Sequence, residues 1–212
     1  MQAAWFQGDQ PLAHPLERLI AEANLTVDAA SVAVVAQVSA DPGTDLTLLK
    51  QLARSVTQAL PPEESVPQVW ELRADSQREY RFVVYEGLSQ EGTYWTVSAY
   101  QLLPSGLVYV ALRTEGRNLP QDVRAGLQRL RQHLQAGIHT PILHVDTRIA
   151  VSGRTRWPEA RLENFARQLL QAIGRSDAVH VREDNEGLRV TAYTPYLTST
   201  SPFGTNVEFH II

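Results

Sequence analysis

Residues 80–113 read YRFVVYEGLSQEGTYWTVSAYQLLPSGLVYVALR, and this stretch decides the fold class. Three runs rich in β-branched and aromatic residues, Arg81–Tyr85, Tyr94–Leu102 and Leu107–Arg113, are separated by Gln90-Glu91-Gly92 and Pro104-Ser105-Gly106. Closely spaced runs with turn residues between them predict an antiparallel meander. The middle run alternates most cleanly. Trp95, Val97 and Ala99 fall on one side, and Tyr94, Thr96, Ser98 and Tyr100 on the other. That is the period-2 pattern of a strand with one apolar face.

Upstream of the meander, Pro15–Ala23 has Leu16, Leu19, Ile20 and Ala23 at helical spacing. Val32, Val34 and Val38 then alternate along a strand that runs to the turn Asp41-Pro42-Gly43. Thr44 is placed to cap a helix whose apolar stripe is Leu49, Ala53, Val56 and Leu60 and which Pro61-Pro62 stops. The Pro-rich segment 61–78 reads as a long connection with a short strand at Val69–Leu72.

Downstream, a helix with Pro120 near its start and Gly137 past its end carries Val123, Leu127, Leu130 and Leu134. The order then restarts. Ile142–Val151 alternates as a strand, and a helix from Trp157 to Gly174 buries Leu162, Phe165, Ala166, Leu169 and Ile173, with Glu163 set to pair Arg167. Strands follow near Ala178–Arg182, Leu188–Thr194 and Thr205–Ile212. Asp184-Asn185-Glu186-Gly187 lacks the alternating ligands of a calcium loop and reads as a hairpin turn.

Both halves thus run strand, helix, three strands. The internal match Trp95-Thr-Val-Ser-Ala-Tyr100 against Leu188-Arg-Val-Thr-Ala-Tyr193 falls in the same place in each. The expectation is an α+β protein of two pseudo-repeated β-α-β-β-β units, residues 1–136 and 137–212. Antiparallel sheets carry helices on one face.

Composition bounds function by exclusion. Hydrophobic residues make up 43% and charged residues 20% of the 212, as in an ordinary globular chain. A net charge of −4, with no basic run and Lys50 the only lysine, argues against nucleic-acid binding. The absence of cysteine removes disulfides, thiolate metal sites and cysteine nucleophiles. No apolar stretch is long enough for a membrane-spanning helix, and Met1–Asp9 lacks the pattern of a signal peptide. There is no G-x-S-x-G, H-E-x-x-H, Walker loop or G-x-G-x-x-G, so no catalytic motif and no cofactor is implied.

Candidate binding residues come from the strand positions opposite the apolar ones. In the first half these are Arg81, Tyr85, Tyr94, Thr96, Ser98, Tyr100, Tyr109 and Arg113. In the second they are His144, Asp146, Arg148, His180, Arg182, Arg189, Thr191, Tyr193, Asn206, Glu208 and His210. Tyr94, Tyr100, Tyr109, Arg189, Tyr193 and Asn206 are the expected ligand or partner contacts, because Tyr and Arg combine contact area with a polar tip. A solvated sheet face has the same alternation. Its cross-strand pairs contribute ~0.2–1 kcal/mol each without any function. His144, His180 and His210 share a parity on three strands. If those strands lie side by side, they are a candidate metal set with Asp146 or Glu208, which would make the chain a metal-assisted enzyme. A third reading is a structural module that self-associates through the edge of Thr205–Ile212.

The run Leu188-Arg-Val-Thr-Ala-Tyr-Thr-Pro-Tyr-Leu197, followed by Gly204-Thr-Asn-Val-Glu-Phe209, resembles the closing signature of the YwmB family of spore-forming Gram-positive bacteria. The resemblance implies a domain of unknown function whose fold is compared with the duplicated saddle of the TATA-box-binding protein. Family members generally carry an export signal or membrane anchor. The implied role is a non-enzymatic, extracytoplasmic or envelope-associated binding protein. It would hold a protein or cell-wall component on the open sheet face or in the groove between the two units.

Overall fold

The computed structural model describes residues 26–39, 44–62, 66–103, 105–117, 123–154, 180–184, 187–194 and 205–211, with 161, 164, 165, 167 and 168. Its class is α+β. The strands are β1 (Thr26–Val38), β2 (Glu71–Ser76), β3 (Tyr80–Leu88), β4 (Tyr94–Leu102), β5 (Leu107–Gly116), β6 (Ile142–Arg154), β7 (His180–Asp184), β8 (Gly187–Thr194) and β9 (Thr205–Ile211). The helices are α1 (Leu46–Ala59) and α2 (Val123–Gly137). Arg161, Asn164, Phe165, Arg167 and Gln168 are also helical, and Phe165 is buried. The expected helix at 15–23, the turn at 41–43 and the Glu163–Arg167 pair lie outside the described residues.

By compactness the chain forms two units that interleave along the sequence. One gathers the described residues of Met1–Val32, Arg117–Gly126 and Thr147–Ile212; the other holds Ala33–Gly116 and Leu127–Asp146. The boundary expected at 136/137 falls within the last turn of α2, inside the stretch Leu127–Asp146 that belongs to a single unit, so it coincides with neither unit's limits.

The second unit, which takes β1 from Ala33 and β6 up to Asp146, orders its strands β2-β3-β4-β5-β1-β6. β2 through β5 are an antiparallel meander, with Val83 opposite Ala99, Ala99 opposite Val110, Tyr85 opposite Val97 and Val97 opposite Leu112. These rows form the buried side. Val83, Val97, Ala99, Val108, Val110 and Leu112 are fully enclosed. Each Val or Leu so placed contributes ~1.5–3 kcal/mol relative to exposure.

Helix α1 lies over β3 and β4 and buries Leu49, Leu52, Ala53 and Val56, an i, i+3, i+4, i+7 stripe. Its N-cap is Asp45, whose carboxylate accepts from Leu48 N at 2.9 Å. Thr44, the expected cap, is instead buried, and its carbonyl accepts from Arg81. An Asp one residue nearer the helix reaches the third amide better, so it takes the role. Helix α2 buries Leu127, Leu130 and Leu134. It ends against α1 where Gly137 meets Ser55 and Val56.

The other unit, which takes β1 up to Val32 and β6 from Thr147, orders its strands β1-β6-β9-β8-β7. β6 and β9 are parallel, while β9–β8 and β8–β7 are antiparallel. An Arg154–Asp28 pair, donating at 2.8 and 3.0 Å, ties the end of β6 to the start of β1. β9 therefore has partners on both sides, so self-association through its edge is corrected: there is no open edge at Thr205–Ile211. The parallel β6–β9 ladder consumes the side that an antiparallel hairpin alone would have left open.

Candidate functional site

The face of the second unit opposite its helices is built by the register of β3, β4 and β5. Three rows cross it in turn. Phe82, Tyr100 and Tyr109 stand opposite one another; then Val84, Ser98 and Ala111; then Glu86, Thr96 and Arg113. Tyr80, Leu102 and Leu107 flank the aromatic row, and Tyr94 stands opposite Leu88 and Glu115 beyond the charged row. The face is thus graded, with aromatic side chains at one end, small ones across the middle and ion pairs at the other end.

Each end is ordered by contacts of its own. The rings of Tyr100 and Tyr109 stack with centroids 5.0 Å apart and planes 17° from parallel, a cross-strand pair worth ~0.5–1.5 kcal/mol beyond its area. Tyr80 and Phe82 stack at 6.0 Å along β3. At the charged end Arg73 pairs with Glu86, and Arg113 with Glu115. Glu86 also accepts from the Tyr94 phenol. Partial burial first, and this bond second, push the Tyr94 phenol above its usual value. The Glu86 carboxylate holds the Arg73 guanidinium above its own ordinary value.

Of the first-half candidates, Tyr94, Thr96, Ser98, Tyr100, Tyr109 and Arg113 share this face. Arg81 and Tyr85 do not. Their register partners are Gln101 and Val97, both buried, and the Arg81 guanidinium donates to Thr44 O at 3.0 Å on the helix side. The sequence Arg-Phe-Val-Val-Tyr is apolar at both parities, so β3 alone cannot show which side is covered. Pairing with β4 decides it and brings in Phe82, Glu86 and, from β2, Arg73. The clean alternation of β4 was the signal that could have found Phe82.

In the other unit, register places Arg148, Asn206 and Tyr193 in one row. The next row holds Ala150, Glu208, Thr191 and His180, and the one after it Ser152, His210, Arg189 and Arg182. Arg189, Tyr193 and Asn206 therefore occupy one face, opposite the positions of Val190, Ala192 and Val207.

The proposed histidine set does not assemble. His144 sits on β6 six residues before Ala150, the residue level with His180, and eight before Ser152, the partner of His210. At ~3.3 Å per residue that is about 20 Å or more along the strand, far beyond any shared metal coordination. Parity put these residues on one face, but the parallel register of β6 and β9 offsets them along it. His144 instead bonds Asp146, Nε2 to Oδ1 at 3.0 Å. Among the described residues no group of three His, Asp or Glu side chains is placed to hold a metal ion. No described helix is long and apolar enough to cross a membrane. No protein-family model matches the chain, and no curated protein matches it.

Proposed function

We propose that this chain is a non-enzymatic binding or accessory protein of the bacterial envelope, YwmB-like, that engages a protein or cell-wall component through its open sheet face. The observation that carries the reading is the half-exposed row Phe82-Tyr100-Tyr109, held by stacking, with the Arg73–Glu86–Tyr94 network at the other end of the same face. Rings already ordered by their neighbours lose little freedom when a partner covers them. Tyrosine offers it both area and hydrogen bonds.

A duplicated, saddle-like scaffold is part of the same reading. In support, β4 and β8 are each the middle strand of an antiparallel trio. They are also the strands that carry the internal match, and each half's first strand adjoins the last strand of its own trio. The two runs that suggest the YwmB family contribute the paired strands β8 and β9, with Tyr193 opposite Asn206.

The test is binding of purified chain to soluble cell-wall glycan fragments and to isolated envelope proteins, compared with Tyr100→Ser/Tyr109→Ser. A ligand held by the native chain and at least about tenfold weaker on the folded variant, one lost hot spot, is expected. No ligand retained from either fraction, or equal retention by the variant, refutes the proposal.

A further inference from the structure

β2 ends the strand order of its unit, and all its positions from Glu71 to Ser76 are exposed. A strand buried on neither face draws no support from a core. Its ladder with β3 and the Arg73–Glu86 ion pair hold it in place. Among the described residues no strand pairs with its outer side.

The backbone groups that face outward follow from the ladder. Gln77 N donates to Tyr80 O at 2.8 Å, which makes 77–80 a hydrogen-bonded pair. Such pairs recur at every second residue of an antiparallel ladder. Asp75, Arg73 and Glu71 therefore direct their backbone groups to Phe82, Val84 and Glu86, and Leu72, Ala74 and Ser76 direct theirs away. The Ser76 amide agrees: it bonds the Asp75 carboxylate at 2.7 Å rather than β3.

On one face the strand reads Glu71, Arg73, Asp75. Charges on an edge ordinarily discourage pairing. Here the result depends on register. When two copies meet about a twofold axis perpendicular to the sheet, residues of like parity oppose. An axis at Arg73 sets Arg73 against Arg73 and Glu71 against Asp75, all repulsive. One at Leu72 matches Glu71 with Arg73 but engages only residues 71–73 of the strand. An axis at Ala74 sets Arg73 of each copy against Asp75 of the other and Leu72 against Ser76. Its opposed pairs are the outward-directed ones, giving about four N–H···O bonds while each Ser76 amide stays on its own Asp75 carboxylate and about six once both are released.

We propose that β2 is a self-pairing edge, joining two copies of this chain antiparallel about a twofold axis at Ala74. A second copy is the partner because the charges at 73 and 75 are each other's complement, which is what an interface using the same patch twice requires. A ladder this short makes a weak dimer, with a Kd of about 0.1 mM.

Sedimentation of the full chain from about 10 µM to about 1 mM, a range that brackets that Kd, tests the proposal. The weight-average mass rises towards the dimer in the native chain. In Ala74→Pro it stays monomeric, since the lost amide faces away from β3 and the fold persists. Asp75→Arg, which sets a cation against Arg73, weakens association more than tenfold.

The chain has no cysteine, so single thiols report the register directly. Opposed Cα atoms in a hydrogen-bonded pair lie ~5.5 Å apart, within disulfide range, and Ala74→Cys cross-links on oxidation. Leu72→Cys leaves its two thiols on Cα atoms about 14 Å apart and does not. A monomer at every concentration, undiminished association in Ala74→Pro, or cross-linking of Leu72→Cys as fast as Ala74→Cys overturns the proposal.

Discussion

Gly137→Ala tests whether α1 and α2 touch backbone to backbone. A Cβ at 137 would lie 2.8 Å from Val56 N and 3.0 Å from Ser55 O, and against Val56 Cα as well. All of these are atoms of the α1 main chain, so no side-chain rotation relieves the clash. The end of α2 has to move outward, loosening Leu134 and Ile138, which are buried beside it. Overfilling of this kind costs ~1–3 kcal/mol, and replacing glycine with alanine in a helix returns ~0.5–1 kcal/mol. The net expectation is a loss of about 1–2 kcal/mol, or a melting temperature lower by about 2–8 °C for a chain of this length.

Thermal unfolding followed by circular dichroism measures it, with Gly92 as the contrast. Gly92 has φ +81° and nothing within 4 Å of a would-be Cβ, so its constraint is conformational alone. Asparagine tolerates that conformation and alanine does not. Gly92→Asn should melt near the native chain, whereas Gly137→Asn should melt well below it. A Gly137→Ala variant as stable as the native chain would refute the close approach of the helices.

Two further outcomes follow from the titrating groups. Asp45→Ala removes the acceptor for Leu48 N and lowers the unfolding midpoint at neutral pH. That bond holds the Asp45 carboxyl below its ordinary value of 3.8, so its contribution is complete above the unfolded pKa and fades as pH falls through the folded one. The difference between native and Asp45→Ala midpoints should therefore narrow only in acid, and a gap that stays constant to the lowest pH reached would remove the cap from the account. Glu86→Gln takes away the carboxylate that helps to keep the Tyr94 phenol protonated. Spectroscopic titration of tyrosinate should show one late-titrating tyrosine moving to lower pH, and an unchanged profile would place Glu86 away from Tyr94.

The sequence was most legible where one parity is apolar and the other is not. Trp95-Val97-Ala99 against Tyr94-Thr96-Ser98-Tyr100 located β4 from end to end. The α1 stripe was equally clear, apart from the added Leu52. β3 was found but its sides were misassigned, since Phe82 and Val84 are as apolar as Val83 and Tyr85 and only cross-strand register distinguishes them. β2 was placed early, at Val69–Leu72 rather than Glu71–Ser76, because a strand exposed at every position leaves no alternation to read. The histidine set and the β9 edge failed for a different reason. Strand neighbours and their register are set by the whole sheet, and spacing along the chain contains neither.

The tyrosine face and the β2 edge are connected through Arg73. A twofold axis perpendicular to the sheet preserves faces, so Glu71, Arg73 and Asp75 of both copies stay on the side that carries Tyr94, Tyr100 and Tyr109. Pairing at β2 would therefore set the two proposed binding faces side by side on one surface, and a ligand long enough to reach both would meet the second at high effective concentration. Arg73 stands where the two meet. It already holds Glu86, the acceptor of the Tyr94 phenol, and in the pair it also faces the partner's Asp75. This one guanidinium thus belongs both to the face and to the proposed edge.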